Sequence, residues 1–286
     1  MVFGGKTGSL TLLAMLAFAA NSLLCRLALG QGLIDAASFA TIRIFSGALV
    51  LALFMLPTWR RRGRLAVDLR TVIALFIYMV FFSFAYRSLG AATGALILFA
   101  AVQLTMFVAA LRAGEHFSTL SWLGLLLALF GLVYLVMPGV TAPDPMGAGL
   151  MTIAGISWGL YSLLGKQASD PLEATANNFL LSLPLALIVS LVFWEDIHVS
   201  RAGIALATTS GAIASALGYV IWYAALKGLS ASRAATVQLS VPAIAAFGGV
   251  IFLAESITLR LLLASAATLG GIALVLAQRS PNSTAK

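Results

Sequence analysis

The sequence is poor in charged residues, which make up 9% of its 286 positions. Soluble domains carry about 25%. Hydrophobic residues account for 61%, and the mean hydropathy is +1.05, so a water-soluble domain is excluded and a polytopic membrane protein is predicted. The net charge of +8 does not indicate nucleic-acid binding, because the basic residues lie at segment ends and in short loops, where they set membrane topology.

Residues with reactive side chains are also scarce. There is one cysteine, Cys25, and there are two histidines, His116 and His198. A lone cysteine in an apolar segment forms no internal disulfide and indicates no metal site, so we expect neither a metal nor a cofactor. The histidines fall on opposite sides of the predicted membrane and no catalytic cluster is visible, which disfavours an enzyme.

Long apolar runs dominate the sequence. A helix needs roughly 20 apolar residues to cross a bilayer core about 30 Å thick. Ten runs have this length, separated by turn residues such as those at Pro57 and Gly114. The predicted helices, numbered 1 to 10, cover residues 8–28, 35–56, 70–88, 91–111, 119–138, 146–167, 174–194, 202–226, 231–254 and 257–278.

Basic residues predict the orientation of these helices. Twelve of the 17 lysines and arginines fall on one side if the N-terminus is cytoplasmic, and the block from Trp59 to Arg64 contributes most. Positive charge accumulates in cytoplasmic loops. Both termini are therefore predicted to lie in the cytoplasm, with the protein in a bacterial inner membrane.

The second half of the chain repeats the first at an offset of 140 residues. The S-L-L-x-R motif ending at Arg26 recurs as S-L-L-x-K ending at Lys166. Further pairs at this offset are Leu89 and Leu229, Ala91 and Ala231, Ala95 and Ala235, Glu115 and Glu255, and Gly131 and Gly271. Each copy holds five helices, an odd number, so the second copy must be inverted.

We therefore predict an all-α polytopic membrane protein with ten transmembrane helices in two inverted five-helix repeats. The repeats span residues 1–140 and 141–279, and a flexible tail follows at 280–286. Inverted repeats are typical of transporters that expose a central site alternately to either side. Helix interiors contain no Asp or Glu, which proton-coupled carriers often bury, so facilitated transport is favoured.

This pattern resembles the EamA-type branch of the drug/metabolite transporter superfamily, over about residues 8 to 278. The S-L-L-x-[RK] ends of helices 1 and 6, the G-I-S-W-G segment at 155–159, the starts of helices 4 and 9 at Leu89 and Leu229, and the glutamates at their ends carry the likeness. A narrower resemblance is to the YddG-type amino-acid exporters of bacteria. It implies a central cavity lined by helices 1, 3, 4, 6, 8 and 9, and export of amino acids, aromatic ones among them.

Aromatic residues recur at helical spacing on three of these helices. The strips are Tyr78, Phe82 and Tyr86 on helix 3, Trp158 and Tyr161 on helix 6, and Tyr219, Trp222 and Tyr223 on helix 8. Residues three or four apart share a helix face. Anchoring at the membrane interface is the alternative for Tyr86, Trp222 and Tyr223, whereas the deeper members favour a cavity for aromatic or amphiphilic solutes.

Amides and hydroxyls inside apolar runs complete the predicted binding site. A buried amide without a partner costs a few kcal/mol, so these groups either bond between helices or face a cavity, and both interpretations stay open. The predicted substrate-binding residues are Asn21, Tyr78, Phe82, Gln103, Trp158, Tyr161, Tyr219, Gln238 and Ser240.

Arg43 is the lone charge inside a predicted helix. Its outward extension towards Asp35 is favoured over an inward position that holds a substrate carboxylate. Glu115 and Glu255 are the other candidate charged partners, although interfacial placement is the favoured interpretation of both.

Proline and glycine residues mark candidate gating positions. Pro184 and Pro242 are predicted to interrupt helices 7 and 9, because proline removes a backbone hydrogen bond. Pro242, Gly90 and Gly94 are the predicted hinge residues.

The sequence thus predicts an exporter of amino acids and related amphiphilic metabolites, for which a monomer suffices. Its expected partners are a small-molecule substrate and membrane lipids. A multidrug or other metabolite carrier of the same fold is the alternative. A lipid-modifying enzyme and a membrane scaffold are disfavoured.

Overall fold

The structure, a computed structural model, describes residues 5–62, 68–114, 117–139, 142–229, 234 and 237–277. Glu115, His116, the predicted boundary at residue 140 and the tail at 280–286 lie outside these ranges. Ten main helices occupy the described part of the chain, one for each of the ten apolar runs, and the helix of the run at 231–254 begins at Ser240. They are α1 (Gly5–Gly30), α2 (Ala36–Arg62), α3 (Leu69–Ala85), α4 (Ala91–Arg112), α5 (Thr119–Val136), α6 (Pro145–Gly165), α7 (Pro171–Val192), α8 (Arg201–Leu226), α9 (Ser240–Leu253) and α10 (Leu259–Ala277).

Seven of these helices are long and apolar enough to cross a membrane, and α3, α9 and α10 are shorter apolar helices. Capping side chains explain where several of them begin. An oxygen of each cap accepts a hydrogen bond from a first-turn N–H group, which has no partner inside its own helix. These caps are Asp68, Ser118, Asp144, Asp170 and Ser200. Bonds from the Gly147 N–H and the Ser88 hydroxyl lower the pKa of the Asp144 carboxyl.

Three prolines have different effects on their helices. The prediction of an interruption at Pro184 is wrong, since α7 continues through it to Val192. The prediction of a break at Pro57 is also wrong, since α2 continues through it to Arg62. Pro57 removes one backbone hydrogen bond near the end of a long helix, and the hydrogen bonds of the other turns keep the helix intact. Before α9 the helix is interrupted at Leu239, and Pro242 lies in the first turn of α9, where the missing N–H costs no helical bond.

Successive helices run in opposite directions, which gives the bundle two ends. At the end where α1 begins, which we call the near end, Thr7 packs against Gly228. At the opposite end, which we call the far end, Arg26 pairs with Glu255. Helices α5 and α10 pack chiefly on each other, as expected for peripheral helices, and the other eight surround the centre.

Contacts between α5 and α10 recur at the offset seen in the sequence. Gly124 packs against Gly271, and Gly131 packs against Ala264; residues 264 and 271 lie 140 positions beyond 124 and 131. The same contact is thus made on both sides of the helix crossing. Glycine allows the two backbones to approach closely.

Alanine substitution at Gly271 tests this close approach. A Cβ there meets the backbone of Gly124 and Ala128, whereas a Cβ at the neighbouring Gly270 meets nothing within 4 Å. We expect Gly271→Ala to destabilise the protein by about 1–3 kcal/mol, as overpacking typically does. Thermal unfolding in detergent measures the effect. Gly270→Ala is the matched control, and equal midpoints for the two variants contradict the predicted packing.

Candidate functional site

Arg43 on α2 lies at the centre of the bundle and is fully buried. Its Nε donates to the Ser215 hydroxyl at 2.9 Å, and its Nη2 donates to the hydroxyls of Tyr219 at 2.8 Å and Tyr78 at 3.4 Å. The guanidinium also lies 5.5 Å from the Tyr78 ring centre and 5.0 Å from that of Phe82. The favoured sequence interpretation, an outward Arg43 near Asp35, is therefore wrong.

Asp35 has other partners, which explains this difference. Its carboxylate accepts hydrogen bonds from the backbone N–H groups of Ser38 at 2.8 Å and His198 at 3.0 Å. It therefore caps α2 and holds the segment before α8. The hydroxyls around Arg43 come from two other helices, α3 and α8, and sequence distance gives no sign that they meet.

Asn21 on α1 extends the polar network around Arg43. Its amide oxygen accepts from Ser210 at 2.7 Å and from Ser215 at 3.4 Å, and its nitrogen donates to Tyr78 at 3.5 Å. Cys25 lies 3.7 Å from the Ser210 hydroxyl. We call these seven residues the arginine cluster: Asn21, Cys25, Arg43, Tyr78, Ser210, Ser215 and Tyr219.

The middle of α8 has an unusual backbone that supplies part of this cluster. Residues Ser210–Leu217 form a π-helix between two α-helical stretches, Arg201–Thr209 and Gly218–Leu226. Such segments are rare and frequently occur at functional sites. Ser210 and Ser215 are both fully buried within it, so the altered winding brings two hydroxyls of one helix to the same polar centre.

An aromatic cluster adjoins the arginine cluster and shares two tyrosines with it. The Trp158 ring lies 4.9 Å from that of Tyr78, 4.7 Å from Tyr219, 5.3 Å from Phe18 and 5.5 Å from Tyr161. The aromatic cluster comprises Phe18, Tyr78, Phe82, Trp158, Tyr161 and Tyr219. Tilted and edge-on geometries such as these are the favourable ones for ring pairs.

The aromatic residues near helix ends are not interfacial anchors. Tyr86, Trp222 and Tyr223 are each at most 2% exposed. The Tyr86 ring lies 4.7 Å from that of Phe82, and the Tyr223 ring lies 5.3 Å from that of Tyr161. The alternative interpretation of these three as belt residues is therefore wrong, because their helices turn them towards the bundle interior.

A cavity of about 310 Å³ enters the bundle from the near end, between α3, α6, α7 and α8. Its lining includes Asp68, Asp170, Glu173, Asn178 and Tyr223. Since Tyr223 stacks on Tyr161, whose ring is 5.5 Å from that of Trp158, aromatic rings continue from this cavity to the centre.

A second cavity, of about 420 Å³, lies at the far end between α1, α4 and α9. Arg26 pairs there with Glu255 at 3.1 Å, and Glu255 also accepts from the backbone N–H of Ala91, the first residue of α4. Ala254 has a left-handed backbone with φ of 53°, which costs a non-glycine residue about 1–2 kcal/mol. This turn ends α9 and directs Glu255 back to the other two helices.

The remaining predicted residues are divided between these regions. Trp158 donates to the side-chain oxygen of Gln238 at 3.4 Å, and Gln103 is buried on α4. Ser240 is exposed and donates to the Val237 carbonyl, so it lies apart from the aromatic cluster. Gly94 packs against the Tyr86 ring.

Phe18, Ser210 and Ser215 belong to the site, although the sequence patterns do not predict them. Phe18 stands 140 positions before Trp158, so the sequence repeat carries a signal for it. No sequence pattern indicates Ser210 and Ser215, because a π-helical segment does not follow the usual helical period.

Two cavities enter an apolar ten-helix bundle from opposite ends, and the near-end cavity adjoins the aromatic centre through Tyr223. This arrangement is typical of a membrane transporter. The chain belongs to the EamA-like transporter family, whose family model matches residues 6–137 and again 145–277.

Relatives agree with this assignment. The chain is 50% identical to an uncharacterized protein of Pseudomonas aeruginosa over 274 residues, which cover 96% of each chain. It is 25% identical to an uncharacterized transporter of Archaeoglobus fulgidus, covering 73% of this chain and 76% of that one. A solved structure that is 19% identical covers 93% of this chain and 98% of its own with a TM-score of 0.67, which shows the shared fold.

A double-mutant cycle tests the far-end ion pair. We expect Arg26→Gln and Glu255→Gln each to lower the free energy of unfolding, with the larger loss at Glu255 because the Ala91 N–H then bonds to a neutral amide oxygen instead of a charged carboxylate. The coupling between them should be about 1 kcal/mol. Thermal unfolding of the single and double variants measures it. Arg260→Gln, which removes an arginine bonded to the Met137 carbonyl instead, should be additive with Glu255→Gln. Additive losses for Arg26 and Glu255 contradict the pairing.

Proposed function

We propose that the protein exports aromatic and other neutral amino acids, and related amphiphilic metabolites, across the bacterial inner membrane. The observation that carries this proposal is the aromatic cluster between the two cavities. Rings from α1, α3, α6 and α8 meet there around Trp158. An aromatic side chain that enters from the near-end cavity, where Tyr223 stacks on Tyr161, can replace a contact between two protein rings.

The polar atoms around this cluster suit the other end of an amino acid. Hydroxyls of Tyr78 and Tyr219 and the Asn21 amide lie beside the rings and supply both donors and acceptors. Hydrogen-bonding groups at an apolar site fix the orientation of a ligand and give it specificity. A zwitterion with an apolar side chain matches both halves of this centre.

We propose that transport proceeds by alternating access between two inverted repeats. The α5–α10 contacts related by 140 residues support this arrangement. So does a second pair, in which Ser88 packs against Gly147 and Gly228 against Thr7, because residues 147 and 228 lie 140 positions beyond 7 and 88. The family model also matches each half separately.

In this mechanism the far-end ion pair is a gate, since Arg26, Glu255 and Ala91 join three helices that line the far cavity. The hinge roles of Pro242, Gly90 and Gly94 belong to the same proposal. The break before α9 and the close approach of Gly90 to the Glu255 carboxylate support them. Positive charge at the end of α2 supports cytoplasmic termini, so the near end faces the cytoplasm.

Transport of labelled amino acids into liposomes containing the purified protein tests the proposed function. We expect exchange of phenylalanine, and we expect Trp158→Ala to slow it by about tenfold or more, because contacts with several rings are lost together. Trp122→Ala is the matched control, since Trp122 on α5 is 45% exposed. If no amino acid is exchanged by the wild-type protein, the export function is wrong although the family assignment stands.

A pH gradient tests the energetics of the same reaction. Among the described residues no Asp or Glu lies in a helix interior, so this part of the chain offers no buried carboxylate as a proton relay. We expect phenylalanine to equilibrate across the vesicle membrane at the same level with or without an imposed pH gradient. Accumulation against the phenylalanine gradient when pH is the driving force contradicts facilitated transport. A voltage gradient at constant pH is the control for non-specific leakage.

A further inference from the structure

The guanidinium of Arg43 is buried without a carboxylate partner in the described part of the chain. There, Arg26–Glu255 is the ion pair that the structure forms, and the groups bonded to Arg43 are neutral hydroxyls. A buried charge without a counter-charge carries a large desolvation penalty. Ionisable residues inside membrane segments usually mark the pathway of a substrate or ion.

The donors of Arg43 are used unequally. Nε and Nη2 make the three bonds to Ser215, Tyr219 and Tyr78, whereas Nη1 is buried and has no hydrogen-bond acceptor among the described residues. Arginine carries five N–H donors in one plane, and three of them are used by these hydroxyls. Nη1 therefore provides two N–H groups for an anionic ligand.

The residues around Arg43 determine which chemical group a ligand can carry next to its anionic group. Tyr78 and Tyr219 contact Arg43 through their hydroxyls and Trp158 through their rings, with Trp158 centroid distances of 4.9 and 4.7 Å. The cationic group therefore lies directly beside the aromatic cluster, in contact with the rings of Tyr78 and Phe82. A ligand with a carboxylate next to an aromatic or bulky apolar group fits this order.

We propose that Arg43 binds the substrate carboxylate and so restricts the transporter to aromatic and apolar monocarboxylates. This inference rests on the proposed function and names the chemical class that the site accepts. Cationic amphiphiles without a carboxylate are excluded, because their ammonium group meets the positive guanidinium. An amino acid is accepted through its carboxylate, and its amino group faces the acceptors of the tyrosines and Asn21.

A ligand series tests the proposal on the wild-type protein. Inhibition of labelled phenylalanine exchange is measured with phenylalanine, 3-phenylpropionate, phenylalaninamide and 2-phenylethylamine. We expect the two carboxylates to compete and the amide and amine to be weaker by about tenfold or more, as for loss of a hydrogen bond to a charged group. Equal inhibition by phenylalanine and its amide overturns the role of Arg43 while amino-acid transport stands.

Variants of Arg43 identify the residue that makes this distinction. In Arg43→Gln we expect the inhibition constant of phenylalanine to rise to that of phenylalaninamide, with the value for the amide unchanged. Arg43→Lys keeps the charge without the planar set of N–H donors and should retain part of the preference. Arg201→Gln, at the exposed start of α8, is the matched control and should retain all of it. Equal weakening of all four ligands by Arg43→Gln indicates a structural role and contradicts the proposal.

Two further readouts keep the test decisive. If Arg43→Gln does not fold, Tyr219→Phe removes the hydroxyl that accepts from Nη2 at 2.8 Å and keeps the ring. It should reduce the preference for carboxylates and retain affinity for the amide; an unchanged preference contradicts the proposal. If labelled 3-phenylpropionate is transported and phenylalanine is not, the amino-acid function fails while the role of Arg43 stands.

Discussion

Keeping one guanidinium charged inside an apolar bundle is the constraint on which the centre of this molecule depends. Arg43 needs hydrogen-bond acceptors from helices that would otherwise present apolar side chains. Tyr78 on α3 and both Ser215 and Tyr219 on α8 meet that need for Nε and Nη2, and Asn21 on α1 orients the serines in turn. Four helices are thereby held in one relative position, because a buried polar network must be satisfied by all its members together.

The ends of the bundle follow a different physical rule from its centre. Glu255 at the far end is partly exposed and holds three helices by one ion pair and the N–H of a helix start. Partly hydrated interactions of this kind are modest in strength, so they can separate without the cost of breaking the buried network. The near-end cavity has acidic residues at its mouth and aromatic rings behind them. The interactions at the centre are therefore stronger than those at the ends, and this difference permits the ends to move.

Much of the fold can be predicted from the sequence, because membrane helices are recognised by their length and apolarity. The aromatic strips also predict that Tyr78, Trp158 and Tyr161 lie deep in the bundle, and the structure buries all three. The position of Arg43 cannot be predicted in this way, because its three bonding partners lie 35, 172 and 176 residues away and no local pattern links them. The predicted helix end at Pro57 fails for another reason, since a single lost backbone bond near the end of a long helix is tolerated. Packing between segments that are distant in the sequence determines where Arg43 lies and where α2 ends, and hydropathy does not describe such packing.

The π-helical stretch Ser210–Leu217 gives α8 an alternative winding. A π-helical turn contains more residues than an α-helical turn, so this stretch of α8 has more residues per turn than a regular α-helix. Rewinding that stretch as α-helix rotates the rest of the helix by about 100° for each residue released. Tyr219 lies in the part that would rotate, and its hydroxyl is the nearest partner of the Arg43 Nη2. The π-helical winding of this stretch thus fixes the register in which Tyr219 meets the central arginine.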